Sequence, residues 1–197
     1  MNVHKIDLSG NKFQIQRFVL LQIVLALFTI LFTYKWAYQT THIIEQNLVM
    51  NLIFGFVGFA VLVILHEFIH RILFIIFSKG EKPSLKYDKN KIIVQFSQTC
   101  FHRWQFTIIM IAPLVIISAT LLALIQIYSF SSLIFMFSIH TSYCMIDVFL
   151  VALALQSKFK YIQTYGEGLY LYHQKPTQTY YEYSLTIVIH VYIKVDN

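Results

Sequence analysis

Polar positions divide this chain into four long apolar runs, at about residues 18–36, 49–77, 106–128 and 132–155. Each is about 20 residues or longer, enough for a helix to cross a hydrocarbon core about 30 Å thick. The pattern therefore predicts an all-α membrane protein, a bundle of four spans in one domain over residues 1–197. Trp36, Trp104 and several tyrosines stand near the ends of the runs, where an aromatic belt is expected. The first run ends at Tyr34-Lys35-Trp36 without a small-residue cleavage site, so it reads as a span and not as a signal peptide. Gly55 and Gly58 are expected to let a neighbouring helix approach closely.

Between and after the spans the period changes. Residues 83–96 read as two short strands around Asp88-Lys89-Asn90, and Leu169–Tyr172 follows Gly166-Glu167-Gly168 as another strand candidate. Leu185, Ile187, Ile189, Val191, Ile193 and Val195 alternate strictly, so residues 184–195 predict a strand on the membrane surface. The β elements are small and the bundle dominates.

Composition agrees. The chain is 57% hydrophobic and 12% charged, with a mean hydropathy of +0.63, against about 25% charged residues in soluble domains. The net charge of +6 does not point to nucleic acid, because the basic residues lie between apolar spans. Lys5, Lys12 and Arg17 precede the first span. Lys79, Lys82, Lys86, Lys89, Lys91 and Arg103 lie between the second and third, and Lys158, Lys160, Lys175 and Lys194 follow the fourth. The other two loops carry no net charge. The positive-inside rule then places both termini and the long second loop in the cytoplasm of a cell-membrane protein. The expected partners are the lipid bilayer and a membrane protein or peptide substrate. Cys100 and Cys144 have no spacing that suggests a disulfide framework.

The candidate chemistry lies inside the second run, at His66-Glu67-Phe68-Ile69-His70. Charged groups at bilayer depth cost about 2.5–3.5 kcal/mol each on insertion scales, so this cluster needs a reason. At i and i+4 the two imidazoles leave one helix face, the spacing that seats Zn²⁺ with Glu67 beside it as general base. A catalytic zinc has three protein ligands. The intramembrane candidates are His140 and Asp147, which share a helix face but differ in height by about 10 Å. Spans two and four run the same way. Asp147 lies about as far before the end of its span as the His66–His70 pair does, with His140 two turns higher. Asp147 is thus the expected third ligand. His140 is either a histidine hydrogen-bonded to a neighbouring span or a catalytic group for the substrate carbonyl or oxyanion. Cys144 reads as a small packing residue, Arg71 as a snorkelling cation, and His102-Arg103-Trp104 as an interfacial anchor.

These residues carry a resemblance. The HEFIH helix, Arg103 and Ala112-Pro113-Leu114 opening the next span, His140-x3-Cys144-x2-Asp147 in the last, and Gly166-Glu167-Gly168 after it resemble the putative zincin peptidases. These are small bacterial multi-pass membrane proteins, similar in turn to site-2 intramembrane metalloproteases. The resemblance covers roughly residues 55–172. It implies a zinc peptidase with His66, His70 and Asp147 as ligands and Glu67 catalytic. Two other classes stay open: a non-catalytic membrane partner that keeps the fold, and a small transporter with Glu67, His140 and Asp147 as a proton relay.

Overall fold

A computed structural model describes residues 3–7, 12–44, 47–78, 84–85, 95–96, 99–155, 159–165 and 168–175. In chain order the elements are β1 (Val3–Asp7), α1 (Lys12–Thr40), α2 (Leu48–Phe77), β2 (Ser84–Leu85), β3 (Gln95–Phe96), β4 (Phe101–His102), α3 (Arg103–Tyr128), α4 (Ser131–Tyr143), α5 (Met145–Ala154), β5 (Tyr161–Tyr165) and β6 (Gly168–Tyr172). Among the described residues, four helical stretches are long and apolar enough to cross a membrane: Arg17–Thr40, Leu48–Phe77, Arg103–Tyr128 and Ser131–Ala154. Large apolar side chains such as Phe28, Leu31, Val61 and Ile64 face outward on the first two, as a lipid-facing surface requires.

Local chemistry sets the helix ends. Asn47 caps α2, its side chain accepting from the Met50 N–H at 2.8 Å. His102 caps α3 in a capping box: its ring accepts from Trp104 N–H, and Gln105 Oε1 accepts from His102 N–H at 2.9 Å. Ser129 closes α3 in the left-handed region at φ 54°, so the chain reverses within two residues into α4. The Ile44 N–H donates to Ser129 C=O and the Ser131 N–H to Ile44 C=O, which ties the two turns at this end together.

The fourth span departs from expectation. It is not one helix but α4 followed by α5, broken at Cys144, whose ψ is −6°. Neither proline nor glycine marks the break. It leaves His140 in the last turn of α4 and Asp147 in the first turn of α5, where the helix macrodipole favours a carboxylate.

Central α4 packs against α1, α2 and α3. Gly55 admits Phe135: a Cβ there would lie 3.0 Å from the Phe135 Cβ. Gly58 admits the Met136 thioether, whose Cε such a Cβ would meet. Ser131 Oγ donates to Asn51 Oδ1 at 2.8 Å between α4 and α2, and the Ser142 hydroxyl donates to Gln22 C=O between α4 and α1. These bonds join polar groups that lipid cannot satisfy.

At the opposite end from the tied turns lies an antiparallel sheet in the order β1-β6-β5-β4, with registers Val3↔Tyr172, Tyr161↔Tyr172 and Phe101↔Ile162. Phe101, Ile162, Leu169 and Leu171 turn inward onto Phe74, Phe106, Ile109, Leu150 and Ala154. Full burial of such a side chain is worth about 1.5–3 kcal/mol. Strand β6 occupies the candidate at 169–172, whereas β1, β4 and β5 are additions to the expected set. Strands β2 and β3 pair antiparallel, as the ends of the expected hairpin would. Its centre at Asp88-Lys89-Asn90 and the candidate strand at 184–195 lie outside the described residues. A smaller core around Ala37, Ile125 and Ile134 fills the other end of the bundle.

Candidate metal centre

Between the two apolar cores the bundle carries a band of buried polar side chains. His66 and His70 lie on the inner face of α2, both buried, four residues apart. Their midpoint is nine residues from Phe77, about 14 Å from the sheet end of the helix at 1.5 Å per residue.

Three donors meet there. His70 Nε2 is 2.9 Å from His66 Nε2, and Asp147 places Oδ2 3.2 Å from His66 Nε2 and Oδ1 3.7 Å from His70 Nε2. Zinc–ligand bonds of about 2.0–2.2 Å put tetrahedral neighbours about 3.3 Å apart, so the triangle has the size of a zinc ligand set.

Its chemistry agrees. The His70 Nδ1 lies 2.9 Å from the carbonyl of Ile109, which can only accept, so Nδ1 carries the proton and Nε2 a lone pair. Asp147 Oδ2 is buried and, among the described residues, has no hydrogen-bond partner. With His70 neutral and Asp147 ionised, lone pairs converge at one point beside His66 Nε2. A cation satisfies all of them. Asp147 faces the two histidines and not Arg71, which is exposed on α2.

Sequence reasoning did not find the source of the Ile109 contact. In an α-helix the carbonyl of residue 109 accepts from the N–H of residue 113. Residue 113 is proline, which has no N–H. Pro113 therefore frees the carbonyl that fixes the tautomer and orientation of His70, as outer partners of metal-binding histidines do. A proline four residues after a buried carbonyl was the available signal.

His140 is fully buried, and its Nε2 is 3.4 Å from His66 Nδ1, the ring nitrogen away from Asp147. This corrects the expectation that two turns of helix set His140 apart. The helix break and the breadth of the His66 ring let His140 and Asp147 approach its opposite nitrogens. The contact is that of a histidine hydrogen-bonded to a neighbouring span. Cys144 is also more than packing: Sγ is 3.6 Å from His66 Nδ1 and 3.5 Å from His140 Nε2.

Glu67 points to the next sector of α2 and is half-buried. The Tyr143 hydroxyl donates to its Oε1 at 3.4 Å. The Tyr143 ring stands edge-on to His66 at 5.2 Å and to Phe59 at 5.7 Å. Tyr143 thus links the motif's glutamate to its first histidine.

Residues 59–162 match the family model described as putative zincin peptidase. That is more than half of the 197 residues. The chain belongs to the putative zincin peptidase family. The matched region holds the HExxH motif, Pro113, the break at Cys144 and Asp147, so the residues of the site lie within it. No curated protein and no solved structure matches the chain significantly. Membership supports a metallopeptidase, and the zincin family implies zinc as its metal.

Proposed function

We propose that this protein is a membrane-embedded zinc peptidase that hydrolyses peptide bonds of membrane-associated proteins near the cytoplasmic leaflet, in the manner of site-2 intramembrane metalloproteases. One observation carries the reading: two histidines and a buried carboxylate meet at zinc-ligand spacing, with an HExxH glutamate beside them. His66, His70 and Asp147 would hold the ion. When bound, zinc supplies Lewis acidity to a carbonyl oxygen and to water.

The chain's own residues do the rest. Glu67 accepts a proton from water and delivers it to the leaving amine. Tyr143 holds Oε1 of that carboxylate by its hydroxyl. His140 is a positioning residue that accepts from the far side of the His66 ring, and the Ile109 carbonyl does the same for His70. A substrate helix must unwind before its carbonyls can be attacked, since helical hydrogen bonds shield them. The sheet end of the bundle supplies edge strands for an opened segment, a mode that recurs in peptide recognition. The basic residues beside β1, β4 and β5 support a cytoplasmic sheet end.

The test is Glu67→Gln, which keeps the size of the side chain and removes its proton affinity. Zinc content should stay at the wild-type level. Appearance of tail fragments of membrane proteins should fall by the about 10²–10⁴-fold typical of a lost general base. Full rescue of a deletion phenotype by Glu67→Gln would refute the peptidase role in that process and leave a binding partner.

A further inference from the structure

Behind the first donor set stands a second. His66 Nδ1, His140 Nε2 and Cys144 Sγ are all buried and lie 3.4, 3.5 and 3.6 Å apart. Metal–nitrogen bonds of about 2.0 Å and metal–sulfur bonds of about 2.3 Å separate such donors by about 3.3–3.6 Å. We propose that His66, His140 and Cys144 form a second metal site, suited to a thiophilic monovalent cation of the Cu(I) class, that competes with the zinc set for the neutral ring of His66.

The donor set argues for the class. One thiolate and two imidazoles are a softer set than the carboxylate-bearing first set, so of the two it is the one that a thiophilic cation prefers. The helix break serves this site too. It leaves Cys144 at the end of α4, four residues after His140, so both donors lie on one face toward α2. Filling the site breaks the Cys144 S–H bond and forms a sulfur–metal bond, and the proton leaves to solvent.

Competition follows from the shared ring. A neutral imidazole offers one lone pair and one N–H. In the zinc set His66 presents its lone pair at Nε2 and its N–H to His140. In the second set it presents the lone pair at Nδ1. His140 needs no change, because its Nε2 is the acceptor in one case and the ligand in the other. A thiophilic cation would therefore displace zinc by turning over the tautomer of a single residue. The competition rests on the zinc reading, whereas the thiolate site does not.

The experiment uses the full chain in detergent, zinc-loaded and anaerobic, titrated with chelator-buffered Cu(I). Copper and zinc per chain are measured, with X-ray absorption of the bound copper. The expected result is one Cu(I) per chain with one sulfur and two nitrogen neighbours, and release of one zinc. Cys144→Ser should keep zinc and weaken Cu(I) binding by more than the about 10–100-fold that follows loss of an outer partner. Asp147→Asn should do the reverse, losing zinc and keeping Cu(I). Copper without a sulfur neighbour in the wild-type chain overturns the site without recourse to any variant, as does undiminished Cu(I) affinity in Cys144→Ser. One copper and one zinc retained together overturns the competition alone. Absence of zinc from the untitrated chain would contradict the zinc reading while leaving the copper measurement intact.

Discussion

Each histidine of the motif is held from behind, and the two supports differ in kind. His70 leans on a backbone carbonyl that exists as an acceptor because Pro113 cannot use it. His66 leans on the His140 ring. Pro113→Ala restores an N–H that competes for Ile109 C=O, and His140→Ala removes a partner without removing a ligand. Both should lower zinc affinity by about 10–100-fold, measured by competition with a chelator, while Asp147→Ala should lose zinc altogether. If His140→Ala loses zinc and Asp147→Ala keeps it, the ligand assignment is wrong. His66, Glu67 and His70 were legible because the i, i+4 spacing fixes a helix face by itself. Tyr143 on Glu67, Cys144 beside His66 and Pro113 behind His70 were not, because each contact joins two spans and depends on their relative rotation.

At the scale of elements, α2 carries one half of the site and the broken fourth span, α4 with α5, carries the other, so the spacing of α2 and that span controls it. The Phe135 Cβ against Gly55 cannot rotate away, whereas the Met136 thioether against Gly58 can. Gly55→Leu should therefore destabilise the bundle by about 1–3 kcal/mol, the usual range for overpacking, and reduce bound zinc. Gly58→Ala should be tolerated. Thermal unfolding in detergent with metal analysis compares them, and equal effects would contradict this packing account. The four spans were legible from the length of their apolar runs, the most robust of sequence signals. The break at Cys144 was not, since ordinary residues adopt it and tertiary contacts hold it. Strand β4 has two residues and β1 pairs far along the chain with β6, so neither leaves a local pattern.

At the scale of the molecule, the sheet is a topological constraint. It joins strands from before the first span, between the second and third, and after the fourth. Those three regions must share one side of the membrane, which is the arrangement the basic residues also favour. Lys160→Cys should react with a membrane-impermeant thiol reagent only after cells are opened, and His42→Cys should react in intact cells. Labelling of Lys160→Cys from outside would invert the orientation and move the site to the other leaflet. The native thiols should not interfere. Burial pushes the Cys100 thiol up to about 12, against the pull of the Lys175 ammonium, so little thiolate exists at neutral pH. Cys144 is buried in the bundle.

His66, His70 and Asp147 converge at the spacing of ligands to one metal ion. Elemental analysis of the detergent-purified chain tests for that ion without a substrate. The wild-type protein should hold one zinc per chain and the His66→Ala/His70→Ala double variant none. Near-stoichiometric zinc in the double variant would contradict the centre described here.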